Sequence, residues 1–261
     1  MMTAIPLGVL DFTKIVIARG LNTIHYKFRI PFLRILGDTL IRGSKIKCDG
    51  ISYVLVDLSS LYIIDPKYEL TVLKCVLGKI SKGDVFIDVG AHIGKYTFVV
   101  AKRVVPTGKV IAIEPNPLVF KALVNGIRQN KLTNVIPLNI AVSDKNAIVK
   151  LYVKRSSVLS SIKESDYSIK TMSVISKSID SIVQELNLNK VDWVKIDAEG
   201  AEIDILKGMT NTLTTFRPNI IIEVEKKNFD ECTRIFRMFN YNYEILEEAE
   251  SYYNIFCVPK N

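Results

Sequence analysis

The chain has 261 residues, 48% of them hydrophobic, with a formal net charge of +8 and only two histidines, His25 and His92. That length and apolar content suit one α/β domain with an N-terminal extension. Cys48, Cys75, Cys232 and Cys257 lie far apart with no C-x-x-C pair, which argues against a zinc site or a disulfide scaffold and fits a reducing cytoplasm, with no metal site expected.

The charge is uneven. Residues 1–47 hold eight Lys/Arg against Asp11 and Asp38, giving +6, so the other 214 residues carry only +2. Charges at 11, 14, 19, 27, 29 and 34 leave no apolar run of 18, so a spanning helix is not expected. No basic region precedes the apolar start and no small-residue cleavage site follows, so a signal peptide is not expected either. Apolar residues at 7, 10, 17, 21, 24 and 28 follow helical spacing. A basic amphipathic segment of this kind suits an anionic membrane surface or a nucleic acid. The preferred expectation is a helix packed on the domain itself or, as a homo-oligomer contact, on a second subunit, with its charges in solvent.

In chain order, Pro31 breaks the first helix and a second runs to about Leu40. Residues 45–56 carry a hairpin signal with Asp49-Gly50 at its turn. A helix over 69–80 leads to a strand at 84–89, a helix at 94–104 and a strand at 109–113. Another helix runs from about Pro117 through Gln129, then a strand over 135–142 and a hairpin strand at 147–153. Residues 155–173 are Ser/Lys-rich without periodicity and read as a functional or poorly ordered loop. A helix at 179–188, a strand at 191–196, a helix at 202–214 and a strand at 219–224 follow. A helix at 229–238 precedes closing strands at 241–247 and 252–258. Alternating strands and helices predict a mostly parallel sheet with helices on both faces, residues 66–261, preceded by a helical and hairpin extension, residues 1–65.

The densest signal is Asp88-Val89-Gly90-Ala91-His92-Ile93-Gly94 after the apolar run Val85-Phe86-Ile87. It reads as a buried strand ending in an acid, a glycine turn and a helix. The next strand ends in Glu114-Pro115-Asn116, 20 residues beyond Gly94, where an acid is placed to accept both ribose hydroxyls of a nucleoside. His92 stands where a dinucleotide fingerprint needs its second glycine, against a pyrophosphate. Asp88 suits a ligand with an ammonium, such as S-adenosylmethionine. Asp144, Asp197 and Glu223 also fall at or near predicted strand ends, the edge where ligands bind in such sheets.

These blocks, with Tyr68-Glu69, Ala141-Val142-Ser143-Asp144, the stretch from Lys195 through Asp197, Glu199 and Gly200 to Gly208, and Arg217 to Glu223, resemble the FkbM-type S-adenosylmethionine-dependent methyltransferases of the class I fold over residues 66–258. The resemblance implies a Rossmann-like seven-stranded sheet whose last strand is antiparallel. It implies that Asp88, Gly90, Ala91, His92, Gly94, Tyr96 and Thr97 surround the methionine end of the cofactor. Glu114, Pro115 and Asn116 would serve the ribose, and Ala141 and Asp144 the adenine. Asp197 and Glu199 would face the methyl group and acceptor, with Tyr68, Glu69, Lys195 and Glu223 on the acceptor side. The family usually has Asn where this chain has His92, so that contact differs.

Asp197 is the first choice of general base, then Glu199, then His92. A packing or capping role is the stronger expectation for His92, and a buried ion pair is an equal one for Lys195. The expected reaction is O-methylation of a small-molecule, glycan or lipid-linked hydroxyl. An RNA ribose methyltransferase, its nucleic-acid partner drawn by the basic N-terminus, and a non-catalytic cofactor-binding partner protein are the alternatives. The expected location is cytoplasmic, with peripheral membrane contact through the N-terminal segment as a further expectation.

Overall fold

The computed structural model describes residues 5–28, 30–154, 161–163 and 168–260. A short strand β1 (Ile5–Pro6) leads into α1 (Val9–Phe28) and α2 (Pro31–Ile41), broken where Pro31 removes a backbone donor. The two helices approach closely at Gly37, where a Cβ would lie 3.2 Å from the Ala18 carbonyl oxygen. β2 (Lys45–Cys48) and β3 (Ile51–Val54) form the expected hairpin. Asp49 and Gly50 both take positive φ, 51° and 78°, as the tight turn demands. Tyr53 of this hairpin stacks within 5.5 Å of Phe98, so the extension and the main sheet share one apolar core.

After α3 (Ser59–Ile63) and α4 (Leu70–Lys79), the main sheet begins with β4 (Val85–Val89). α5 (Lys95–Val104), β5 (Lys109–Ile113), α6 (Pro117–Gln129) and β6 (Val135–Leu138) follow. Later come α7 (Ile179–Glu185), β10 (Trp193–Ile196), α8 (Glu202–Lys207), α9 (Thr210–Thr215) and β11 (Asn219–Glu225). α10 (Phe229–Met238), β12 (Tyr241–Glu248) and β13 (Tyr252–Pro259) close the chain. The seven-stranded sheet has the order β12-β13-β11-β10-β4-β5-β6, and β13 runs antiparallel to both neighbours. This is the expected Rossmann-like architecture. Strand order reverses between β4 and β10, where Asp88 pairs opposite Lys195, so a crevice opens there at the carboxyl ends.

Three departures have physical causes. The strand expected over 135–142 splits, because Asn139 turns its amide onto the carbonyls of Glu114 (2.8 Å) and Pro115 (3.1 Å). Its second half, β7 (Ala141–Val142), joins a separate sheet with β8 (Ala147–Lys154) and β9 (Ser168–Lys177). β9 occupies part of the segment read as an irregular loop: its ladder partner β8 supplies the order that periodicity lacked. Residues 155–160 and 164–167 of that segment lie outside the described residues. The helix expected over 202–214 is two helices, since Gly208 passes so close to Ser143 that a Cβ would sit 2.2 Å from its carbonyl oxygen. Among the described residues, no helix is long and apolar enough to cross a membrane.

Candidate active site at the sheet edge

The turn after β4 is built for close approach. Gly90 has φ 78°, and a Cβ there would lie 1.9 Å from the Asp197 carbonyl oxygen, so only glycine lets the β4 and β10 loops meet. The backbone N–H groups of Gly90 and Ala91 both donate to the Ile113 carbonyl, at 3.0 and 2.9 Å. Gly94, φ 97°, faces the Phe98 ring at 2.4 Å from an added Cβ and starts α5. Asp88 is buried at the end of β4, where Thr97 donates to its Oδ2 at 2.5 Å. Its Oδ1 has no partner among the described residues. Burial raises the Asp88 carboxyl, against the opposing pull of Lys195 and Thr97.

Glu114 accepts backbone N–H groups on both oxygens, from Asn116 (2.8 Å) and His92 (3.1 Å). Burial outweighs those two bonds and pushes its carboxyl up to about 7. Asn116 also caps α6 by accepting from the Leu118 N–H at 3.1 Å. Burial drives half-buried His92 down to about 4, so its ring is neutral at physiological pH.

Gly90, His92, Glu114, Pro115, Ala141, Asp197 and Glu199 line one pocket. Its apolar walls include Ile140, Leu151 and Ile162, which sequence patterns did not single out. Ser161 pins its rim by donating to the Glu199 carbonyl at 2.6 Å. Leu151 lies on β8 and Ser161 bridges to Tyr152 of the same strand, so only tertiary folding brings them here. Asp144 stands apart: it is exposed, accepts from the Ser143 hydroxyl at 2.9 Å, and lines a separate cleft with Ser178 and Thr212.

The pocket fits a nucleoside that carries an amine. Asp88, which directly precedes the lining residues Val89 and Gly90, keeps a buried carboxyl oxygen with no partner among the described residues, Glu114 is a second buried acid at the next strand end, and apolar walls suit a flat base.

On the other side of Glu199 lies a cleft lined by Tyr26, Tyr62, Tyr68, Tyr252, Arg34 and Glu223, among others. Glu199 lines both cavities. Asp197 of the first cavity and Glu223 of the second belong to one interlocked charge cluster. Lys195 is buried, ion-pairs with Asp197 at 3.0 Å and lies 4.7 Å from the centre of the Tyr96 ring. The Tyr96 hydroxyl donates to Glu69 at 2.8 Å. Burial alone would lower the Lys195 ammonium, yet Asp197, Glu69 and Asp88 together raise it. Carboxylate oxygens of Glu69, Asp197 and Glu223 lie within 4.8 Å of one another, close enough to share a proton or a divalent cation. Burial first, then Asp197 and Glu199, push Glu223 up to about 10, so it is protonated at neutral pH. Lys95 donates to the Tyr68 carbonyl and stacks 4.5 Å from the centre of that ring, and burial lowers its ammonium to about 8. Tyr26, Arg34, Tyr62 and Tyr252 carry no spacing signal that would have flagged them.

Residues 88–248 match the family model described as the methyltransferase FkbM domain. The chain belongs to that family. This FkbM-family chain is 30% identical over 162 residues to the hexuronic acid methyltransferase AglP of Haloferax volcanii, covering 62% of this chain and 64% of the relative. Methyltransferase 1 of Beauveria bassiana is 24% identical over 186 residues, covering 63% and 74%. The crystal structure of methyltransferase FkbM from Methylobacillus flagellatus superposes with a TM-score of 0.54 at 16% identity. It covers 69% of this chain but 44% of its own, a likeness of fold. The chain thus spans just under two thirds of the archaeal relative's length and under half of the bacterial one's.

Proposed function

We propose that this chain transfers a methyl group from S-adenosylmethionine to a hydroxyl oxygen of a glycan, lipid-linked or small-molecule acceptor. The observation that carries the reading is the meeting of two cavities at Glu199, with Asp197 on the nucleoside side and Glu223 on the other. Family membership favours S-adenosylmethionine, which when bound supplies an electrophilic methyl group and leaves as a thioether.

The rest falls to this chain's residues. Asp88 would hold the amine and Glu114 the ribose hydroxyls. Aligning acceptor oxygen and methyl carbon is worth up to roughly 7–11 kcal/mol. Asp197, held in place by Lys195, takes the hydroxyl proton as the new C–O bond forms, a role worth about 10²–10⁴-fold. Glu223, protonated at neutral pH, offers a hydrogen bond to the acceptor. His92 is neutral at physiological pH, and its backbone N–H donates to Glu114.

Four tyrosines on the cleft favour a sugar ring, which an aromatic face packs against while its hydroxyl end stays polar. The name of the archaeal relative, which acts on a hexuronic acid, points the same way. An RNA ribose is the second reading. In its favour, Lys95 and Lys195 join Asp197 and Glu223 around one floor. Against it, the acids Glu69, Asp197 and Glu199 would repel phosphates.

The test is conversion of S-adenosylmethionine to S-adenosylhomocysteine with glycan, lipid and RNA fractions as acceptors, alongside equilibrium dialysis of the cofactor. Well-folded protein that takes up neither cofactor nor product overturns the reading.

A further inference from the structure

The helical pair at the N-terminus wears its apolar face outward. Ile15 and Ala18 bury one side of α1. Around the opposite arc, at 3.6 residues per turn, stand Val9 (84% exposed), Phe12 (57%), Val16 and Ile17, and Phe28 (61%) ends the helix. Phe32 (65%), Ile35 and Leu36 are likewise exposed, on one arc of α2. Soluble surfaces seldom gather so many large apolar side chains in one place without an occupant. Exposed Arg19 and Lys27 lie among them, and Arg42, Lys45 and Lys47 follow on the same extension.

We infer that the α1–α2 pair docks this protein on a lipid bilayer with anionic headgroups, its apolar side chains entering the acyl boundary while the basic groups meet the headgroups. Charge selects the occupant. Residues 1–47 carry +6, so a second copy stacked through this face would bring two positive surfaces together, whereas anionic headgroups attract it. A nucleic acid would meet the lysines and arginines but leave the phenylalanines and valines unserved. Neither helix spans a bilayer, so the geometry is that of a helix pair lying in the interface.

The inner side of the same pair supplies Asn22, Tyr26 and Arg34 to the tyrosine-lined cleft. Docking therefore sets that cleft beside the membrane surface, and, resting on the methyl transfer proposed above, this assigns the acceptor class: a hydroxyl on a glycan carried by a lipid. The docking itself does not depend on that reading.

The full chain should be spun with vesicles of phosphatidylcholine alone and of equal parts phosphatidylcholine and phosphatidylglycerol, at low and high salt. It should pellet with the anionic vesicles, less so as salt rises, and not with the neutral ones. Phe12→Ser combined with Ile17→Ser and Phe32→Ser should release it by tenfold or more. Arg19→Gln and Lys27→Gln should each weaken binding about fivefold, the equivalent of about 1 kcal/mol per basic group. Circular dichroism and S-adenosylmethionine dialysis, both unchanged in the variants, show that folding and the cofactor site are intact. If the wild type ignores anionic vesicles, or if the apolar triple variant instead abolishes a concentration-dependent dimer seen by light scattering, the proposal fails. Loss of cofactor uptake in the wild type with vesicle binding retained would instead overturn the methyl-transfer reading alone.

Discussion

The two cavities that meet at Glu199 are made from different materials. The nucleoside pocket is a main-chain construction: strand ends, glycine turns and backbone N–H groups fix it, with Glu114 held on both oxygens by amides. The tyrosine cleft is a side-chain construction drawn from α1, α2, the segment around α3, and β11 and β13. A pocket of the first kind binds what the fold dictates, and one of the second kind is free to vary its ligand without disturbing the sheet. Perturbing the backbone of one and the carboxyls of the other should therefore have separable consequences.

The largest effect should come from Gly90→Val. A Cβ at this position collides with the Asp197 carbonyl oxygen, and φ of 78° disfavours any β-branched residue. Cofactor binding should disappear, and stability should fall by about 3–5 kcal/mol, read by calorimetry and urea unfolding. A variant that binds normally would mean the β4 and β10 loops can separate without harm to the pocket.

Asp197→Asn keeps the shape and removes the base. Turnover should fall about 10²–10⁴-fold while the dissociation constant for S-adenosylmethionine moves only a few-fold. Equal losses in both would place Asp197 in the nucleoside pocket alone and erase the division of labour between the cavities.

Glu114→Gln is the matching change on the cofactor side. Its carboxyl sits up at about 7 in the free protein, so below that pH it carries a proton and accepts ribose hydroxyls poorly. Wild-type affinity should climb as pH rises through 7, whereas the Gln variant should stay flat. At pH 8 the variant should bind about 10–100-fold more weakly, the worth of a charge-assisted hydrogen bond. Titration calorimetry across pH 6 to 8 checks this, and a pH-independent wild type would remove Glu114 from the ribose.

That contrast also explains what could be read from residue order. Asp88, Gly90, Glu114 and Asp197 are legible because a βα turn and a parallel sheet force acids and glycines to fixed distances along the chain. Leu151 and Ser161 are not, because Leu151 reaches the pocket from β8 and Ser161 through a bridge to Tyr152, in a side sheet whose pairing spans residues 141 to 177. The cleft is harder still: Tyr26 and Tyr252 are 226 positions apart and obey no shared period. The outward apolar face of α1 is legible only as helical spacing, which does not tell the buried side from the exposed one. Asp144, placed near the adenine by resemblance, lies on a different cleft here.

The smallest expected change tests the acceptor floor. Glu223 holds its proton to about 10 when folded, against an ordinary value of 4.5. Between those values the folded state binds more protons than the unfolded one, so this group's contribution to stability is full below 4.5 and drains away as pH rises. Glu223→Gln cannot release a proton and escapes that loss. Its thermal midpoint should sit near wild type at pH 5 and move above it by pH 8, by the equivalent of about 1–3 kcal/mol. The raised Glu114 carboxyl is common to both proteins and cancels in the difference. A midpoint gap that stays flat, or favours wild type at pH 8, would mean Glu223 is ionised in the folded protein. The trio with Glu69 and Asp197 would then carry more negative charge than Lys195 alone balances, and a cation dependence, lost on chelation with EDTA and restored by Mg²⁺, would be the next thing to measure.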